Sequence, residues 1–182
     1  MLYLSRPKIN CLKRIYKTEN DIFMNFPVVL ACLVVGISDG DTLKARCGSE
    51  GSYHQIRVRL SGIDAPELKQ PYGLQARKML SDLLYMKEVK LDCPKQDHYW
   101  RYICNISLMK HEKDKPQNLD IGKTMIRHGL AWYYRTYSSD LSLKDRKNYA
   151  VAEASAKNSR SGLWKDQSPV PPWMWRKERR KR

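Results

Sequence analysis

The sequence predicts an α+β, β-rich domain in which five short strands close into a small barrel and about three helices pack on it. Three observations carry that expectation. Apolar or alternating runs of strand length recur at residues 28–37, 42–47, 53–60, 88–93 and 102–108. Asp39-Gly40, between the first two runs, is a strong hairpin signal. Apolar residues at helical spacing, and one N-terminal capping pattern, lie in the segments between and after the strands.

Residues 28–37 are apolar and rich in β-branched side chains, the composition of a buried strand, and 42–47 return from the hairpin. After the turn Gly48-Ser49-Glu50-Gly51-Ser52, the third strand places Ile56, Val58 and Leu60 on one face and Arg57 and Arg59 on the other. Pro71 stands where proline favours the opening of a helix, and Ala76, Met79, Leu80 and Leu83 follow at helical spacing. Strands 88–93 and 102–108 flank a polar hairpin loop, and residues 110–117 read as a charged surface loop. Residues 122–128 make a short helix, with Gly129 placed for a left-handed C-cap. Ser142 opens the last helix, 143–158, with Asp145 as its capping partner. Five strands and about three helices in this arrangement describe an OB-fold.

The ends read differently. Residues 1–27 show no sustained period and are expected to form a poorly ordered basic extension, with at most a short helix around Lys13. The domain is expected over 28–165. Residues 166–182 read as a basic tail rich in proline and tryptophan. Its prolines at 169, 171 and 172 argue against regular helix, Trp173 and Trp175 are expected to dock on the domain, and the basic run attracts phosphate non-specifically.

The 182 residues carry a formal net charge of +15, with a pI near 9.7. Residues 1–27 contribute +3 and residues 173–182 contribute +5, which leaves +7 in the middle of the chain. A polyanionic partner such as nucleic acid is favoured, and a basic but merely soluble protein is the alternative for charge alone. The longest apolar run, 26–37, is too short to cross a bilayer. It follows basic residues as the core of a signal peptide would, but its second half is needed as the first strand, so cleavage there is not expected.

No Cys-x-x-Cys pair offers a structural zinc site. With Asp39-Gly40 as a two-residue turn, cross-strand partners sum to 79, and Cys32 faces Cys47. Cys93 and Cys104 flank the next hairpin and offer a second pair. Two disulfides and four reduced, half-buried thiols both fit this spacing; the former implies an oxidising compartment.

The chemistry concentrates in two turns that bracket the third strand, Ser38-Asp39-Gly40-Asp41-Thr42 and Gly62-Ile63-Asp64-Ala65-Pro66-Glu67. Asp41, Asp64 and the Ala65 carbonyl can offer oxygen ligands to a hard cation such as calcium. A cation, a carboxylate base and a nearby arginine together suit phosphodiester hydrolysis. Aspartate is also common in turns for reasons of local geometry, and Asp39 is assigned to that role.

Asp-Gly-Asp-Thr, then Arg-x-x-x-x-Asp-x-Pro-Glu, then Tyr99-Trp100-Arg101, then Ile126-Arg127-His128-Gly129-Leu130-Ala131 and Gly162-Leu163-Trp164 resemble the staphylococcal (micrococcal) nuclease family, in its order and roughly its spacing, over about residues 28–165. The resemblance implies the OB-fold and a Ca²⁺-dependent, sugar-non-specific endonuclease acting on DNA and RNA to leave 3′-phosphates. It implies Asp41, Asp64 and the Ala65 carbonyl as metal ligands, Glu67 as general base, and Arg59 and Arg101 as phosphate-binding arginines. Tyr99, Arg135 and Tyr137 fall at nucleotide-pocket positions, with Arg135 replacing a family tyrosine. Trp100 stands where the family usually has glycine, which bears on the geometry of Arg101. A domain that binds nucleic acid without cutting is the alternative, set against the retained acidic and arginine positions. A monomer is expected. The cysteine registry and the need for calcium point to a secreted or periplasmic protein.

Overall fold

The computed structural model describes residues 28–112 and 115–180; side chains are described outside 109–117. The expected extension over 1–27 therefore lies outside the described residues.

In chain order the elements are β1 (Val28–Ile37), β2 (Thr42–Cys47), β3 (His54–Leu60), β4 (Ile63–Asp64), α1 (Gly73–Leu84), β5 (Glu88–Gln96), β6 (Tyr102–Glu112), β7 (Lys115–Asp120), α2 (Ile121–Arg127), β8 (Trp132–Tyr133), α3 (Leu143–Asn158) and α4 (Pro172–Arg179). β1, β2 and β3 form an antiparallel meander, while β5 pairs with the other edge of β1 and then with β6. β6 returns alongside β3 in parallel, with Val58 opposite Tyr102 and Leu60 opposite Cys104. That pairing closes a five-stranded mixed barrel, the expected OB-fold, and leaves no open edge among its strands.

Alternation along the strands fills the barrel. Leu43, Ala45, Val58, Leu60, Leu91 and Val34 are fully or almost fully buried, as are Leu80 and Leu84 of α1 and Met125 and Ile126 of α2. α2 is capped by Asp120, whose side chain accepts from the Lys123 amide, and closes at Gly129 with φ +65°. Ser142 caps α3 through the Asp145 amide, as its sequence predicts.

The structure corrects four local expectations. The segment 110–117 is not a loop: β6 continues to Glu112, and Lys115–Asp120 pairs with it as β7. Charged composition signals solvent contact, whereas a two-stranded ladder is held by main-chain hydrogen bonds that any non-proline residue can supply. Pro71 lies in the turn before α1, which starts at Gly73.

Residues 172–179 form a helix despite the neighbouring prolines. Pro172 is its first residue, where the missing N–H costs no intrahelical bond and the fixed φ suits the helix. Helix breaking by proline applies to the interior, and this helix has none there.

The first hairpin is not a two-residue turn. Ile37 pairs with Leu43, so the loop is one residue longer, and a bulge between Val34 and Gly36 restores the register. Cys32 thus faces Cys47 because two irregularities cancel. The two are joined by a disulfide with Cα atoms 4.4 Å apart, and Cys93 and Cys104 by a second with Cα atoms 4.1 Å apart. Gly40 owes its place to packing: a Cβ there would stand 2.7 Å from the Cβ atoms of both Ala65 and Ala76. Its bare Cα lets the first turn nest against the second turn and against α1.

Candidate active site

Close approach of the two turns sets up the site. Asp41 Oδ2 accepts a 2.9 Å bond from the Ala65 amide, so each carboxylate turn is anchored to the other. Between them Arg59, on the outward face of β3, donates Nη1 to Asp41 Oδ1 at 2.6 Å and Nη2 to Asp64 Oδ1 at 3.0 Å. Nη2 also reaches the Ile63 carbonyl at 3.3 Å, and Thr42 Oγ1 donates to Asp41 Oδ1 at 2.9 Å. Asp64 is held by the short ribbon of β4 with β8, in which it pairs with Trp132, and its side chain has no solvent exposure.

The electrostatics follow from burial. Burial raises the Asp64 carboxyl above the usual carboxylate range, with Arg176 and Arg59 pulling the other way and Asp41 adding to the rise. Burial and the neighbouring Asp41 push Asp39 up to about 7. Burial works against the charge on Arg59, but Asp41 and Asp64 outweigh it and hold the guanidinium more firmly protonated. Two carboxylates on one arginine make a pre-aligned pair of hard oxygen donors.

The structure adds a residue that the sequence reading passed over. Arg176 of α4 donates Nη2 to Asp64 Oδ2 at 2.7 Å and Nη1 to Asp64 Oδ1 at 3.1 Å and to Glu67 Oε1 at 2.8 Å. Gln70 was missed as well. Its Oε1 accepts from the Glu67 amide at 3.1 Å, and its Nε2 donates to the Val170 carbonyl at 2.6 Å, tying the Glu67 turn to the segment leading into α4. Trp173 stacks on Tyr134 at 5.1 Å and meets Trp132 edge-on at 5.6 Å. The available signal was the docking expected of the tryptophans after Pro171-Pro172, which brings the basic residue next to Trp175 onto the domain.

Arg101 is held by a different partner. It lies two residues before Ile103, the partner of Arg59 across the β3–β6 pairing, so it belongs to the neighbouring strand entrance. Its guanidinium is engaged by Asp97, at 2.8 Å from Nε and 2.7 Å from Nη2, and the Asp97 side chain also accepts from the amides of Tyr99 and Arg101. Asp97 is a further residue that the sequence reading did not name. The Arg101 guanidinium lies 5.4 Å from the Tyr99 ring centre. Trp100 sits at φ +60° with 78% of its surface exposed, a left-handed position that suits glycine and that tryptophan occupies here under strain.

Arg135 pairs with the buried Glu153 of α3 at 3.0 Å and covers the Tyr133 ring at 4.8 Å. Tyr137 is exposed beside Tyr134 at 5.2 Å, with Lys95 near its face at 5.6 Å. The structure thus brings Asp41, Asp64, Ala65, Arg59 and Glu67 together, and leaves Tyr99, Arg101, Arg135 and Tyr137 on two separate turns.

A family model described as staphylococcal nuclease homologue matches residues 57–166. An uncharacterized endonuclease of Haemophilus influenzae is 39% identical over 147 residues, covering 81% of this chain and 73% of its own. A micrococcal nuclease of Shigella flexneri is 35% identical over 145 residues, covering 79% of each chain. A probable staphylococcal-like nuclease of rice, CAN3, is 37% identical over 126 residues, 69% of this chain and 30% of its own. With the barrel, the paired turns and these matches in hand, the chain belongs to the staphylococcal nuclease family.

Proposed function

We propose that the protein is a nuclease, specifically a Ca²⁺-dependent, sugar-non-specific endonuclease that hydrolyses phosphodiester bonds of DNA and RNA and leaves 3′-phosphates. The observation that carries this reading is the bridging of Asp41 and Asp64, from two separate turns, by Arg59. Among the described residues no three acidic, histidine or cysteine side chains converge as a ready metal cluster. The fit of calcium rests instead on the donor chemistry: two carboxylates, main-chain carbonyls such as that of Ala65, and water are the ligands a hard cation accepts. When bound, such a cation would polarise a phosphate oxygen.

The remaining work falls to side chains. Glu67, one turn beyond Asp64 and 39% exposed at its side chain, is able to take a proton from an attacking water at its carboxylate. Arg59 and Arg101 present planar guanidinium groups to charge that develops on the phosphate. Tyr99 and Tyr137 offer exposed rings to the nucleotide, and Arg135 a cationic edge. The two disulfides suit an oxidising compartment, where calcium is also abundant, and we infer export on that ground. The protein is taken to act as a monomer.

Plasmid digestion tests the assignment. Glu67→Gln and Arg59→Ala should each lose about 10²–10³ of the cleavage rate while nucleic acid still binds, and EGTA should silence the wild type. Unchanged digestion by either variant would overturn the roles, and activity surviving chelation would remove calcium. Occupation of both Asp64 and Glu67 by Arg176 favours a second reading, a domain that binds without cutting. A gel shift of single-stranded DNA with Ca²⁺ and no fragments would select it.

A further inference from the structure

Helix α4 lies beyond the segment matched by the family model, yet one of its side chains reaches the centre of the site across more than a hundred residues of sequence. Arg176 is the only described donor to Asp64 Oδ2 and the only described partner of the Glu67 carboxylate. We propose that Arg176 is a positioning residue of the nuclease site: it holds Asp64 and Glu67 together in the cation-free protein, and a divalent cation must displace it from Asp64 in order to bind. The inference rests on the calcium reading given above.

The geometry sets the two occupants in competition. Arg176 lies along both oxygens of Asp64, and the third donor there is Arg59, on Oδ1. Three of the roughly four lone-pair directions of this carboxylate are thus taken by guanidinium hydrogens. A hard cation on the remaining direction, at Oδ2, would sit against the Arg176 guanidinium, and the two positive charges repel. Because one nitrogen, Nη1, is shared between Asp64 and Glu67, its departure also frees the glutamate. The carboxylate that takes the proton is therefore clamped until the cation arrives.

The helix need not move for this to happen. α4 is secured independently of Arg176, by the Gln70–Val170 hydrogen bond and by Trp173 against Tyr134 and Trp132. A cavity of about 450 Å³ lined by Tyr134, Trp173, Arg176, Lys177 and Arg180 opens beside the side chain. Rotation about the arginine stem into that space moves the charge off Asp64 and leaves it among groups suited to a phosphate.

Calorimetric titration with CaCl₂ in the absence of nucleic acid reads the exchange directly. Arg176→Ala should bind Ca²⁺ about threefold to tenfold more tightly than the wild type, since no guanidinium has to be displaced. Arg176→Met, which keeps an unbranched stem for packing, should show the same gain, and an unchanged near-UV tryptophan signal establishes that α4 stays docked. Arg179→Ala removes the same charge from the same helix and should change the affinity less than twofold. Equal affinity in wild type and both Arg176 variants overturns the proposal, as does an equal gain in Arg179→Ala. Failure of every form to bind Ca²⁺ overturns the calcium reading along with it, whereas binding without a difference leaves that reading intact.

Discussion

The two arginines assigned to phosphate are held in opposite ways. Arg59 is fixed by Asp41, 18 positions earlier, and by Asp64, five positions later, in a box from which most solvent is excluded. Arg101 is fixed by Asp97 within its own turn, next to an exposed tryptophan in a left-handed conformation. The first arrangement is a property of the fold, because it exists only when two turns and a strand have come together. The second is local, made within the five residues of one turn. One half of the site is therefore pre-aligned by the barrel, and the other half is a loop device whose partners can be exchanged without disturbing the core.

The difference predicts unequal consequences for stability. Removing Arg59 leaves Asp41 and Asp64 buried with part of their charge uncompensated, a situation that typically costs about 3–5 kcal/mol. Arg59→Ala should lower the denaturant midpoint by a corresponding amount in EGTA, whereas Arg101→Ala, which leaves Asp97 its two amide donors, should cost about 1 kcal/mol. Similar losses from the two variants would break the comparison.

A second prediction sharpens the local half through pH. Burial works against the charge on Asp97, but hydrogen bonds from the Arg101 and Tyr99 amides and from the Arg101 guanidinium hold its carboxyl below the usual carboxylate range. A lowered folded value means that the group's contribution is present above about pH 4 and is lost as pH falls through the folded value. Asp97→Asn should therefore be less stable than the wild type by about 1 kcal/mol at pH 6, and the gap should close on acidification below pH 4. A gap that stays constant down to pH 2.5 would mean that the ionised carboxylate contributes nothing. The same variant should weaken cleavage by about tenfold, because Arg101 loses its anchor.

The smallest expected effect concerns Trp100. Its φ of +60° is costly for tryptophan and free for glycine, against which stands the greater freedom glycine adds to the unfolded chain. Trp100→Gly should raise stability by a few tenths of a kcal/mol to about 1 kcal/mol in thermal unfolding. A loss of stability would show that the indole, despite its exposure, has a partner worth more than the strain.

Much of the site was legible because its parts are close in sequence. Asp41, Arg59, Asp64, Ala65 and Glu67 lie within 27 positions, and alternation along β3 suffices to send Arg59 away from the apolar face. Arg176 was not legible, since its partners are 109 and 112 positions away and it opens a run of mostly basic residues. A charge run looks the same whether one of its members is solvated or buried in an ion pair. Asp97 was missed for a different reason: an i,i+4 acid–base pair in a turn has no periodic pattern to announce it.

What the sequence by itself determined is whatever depends on local period and local chemistry: the strands of the barrel, the caps of α2 and α3, the carboxylate turns and the arginine between them. Even the pairing of Cys32 with Cys47 could be counted out along the chain, although by a count that omitted a longer loop and the bulge that offsets it. The tertiary structure alone decided the rest. It settled that Gly40 is required for the contact with Ala65 and Ala76, that residues 115–120 find a ladder partner in β6, and that a helix outside the barrel returns an arginine to Asp64 and Glu67. The ladder of 115–120 is a tight hairpin that its polar composition did not announce, whereas the other two share one physical reason. Each depends on which surfaces meet after the chain has closed, and contacts between distant segments leave no trace in the periodicity of either one.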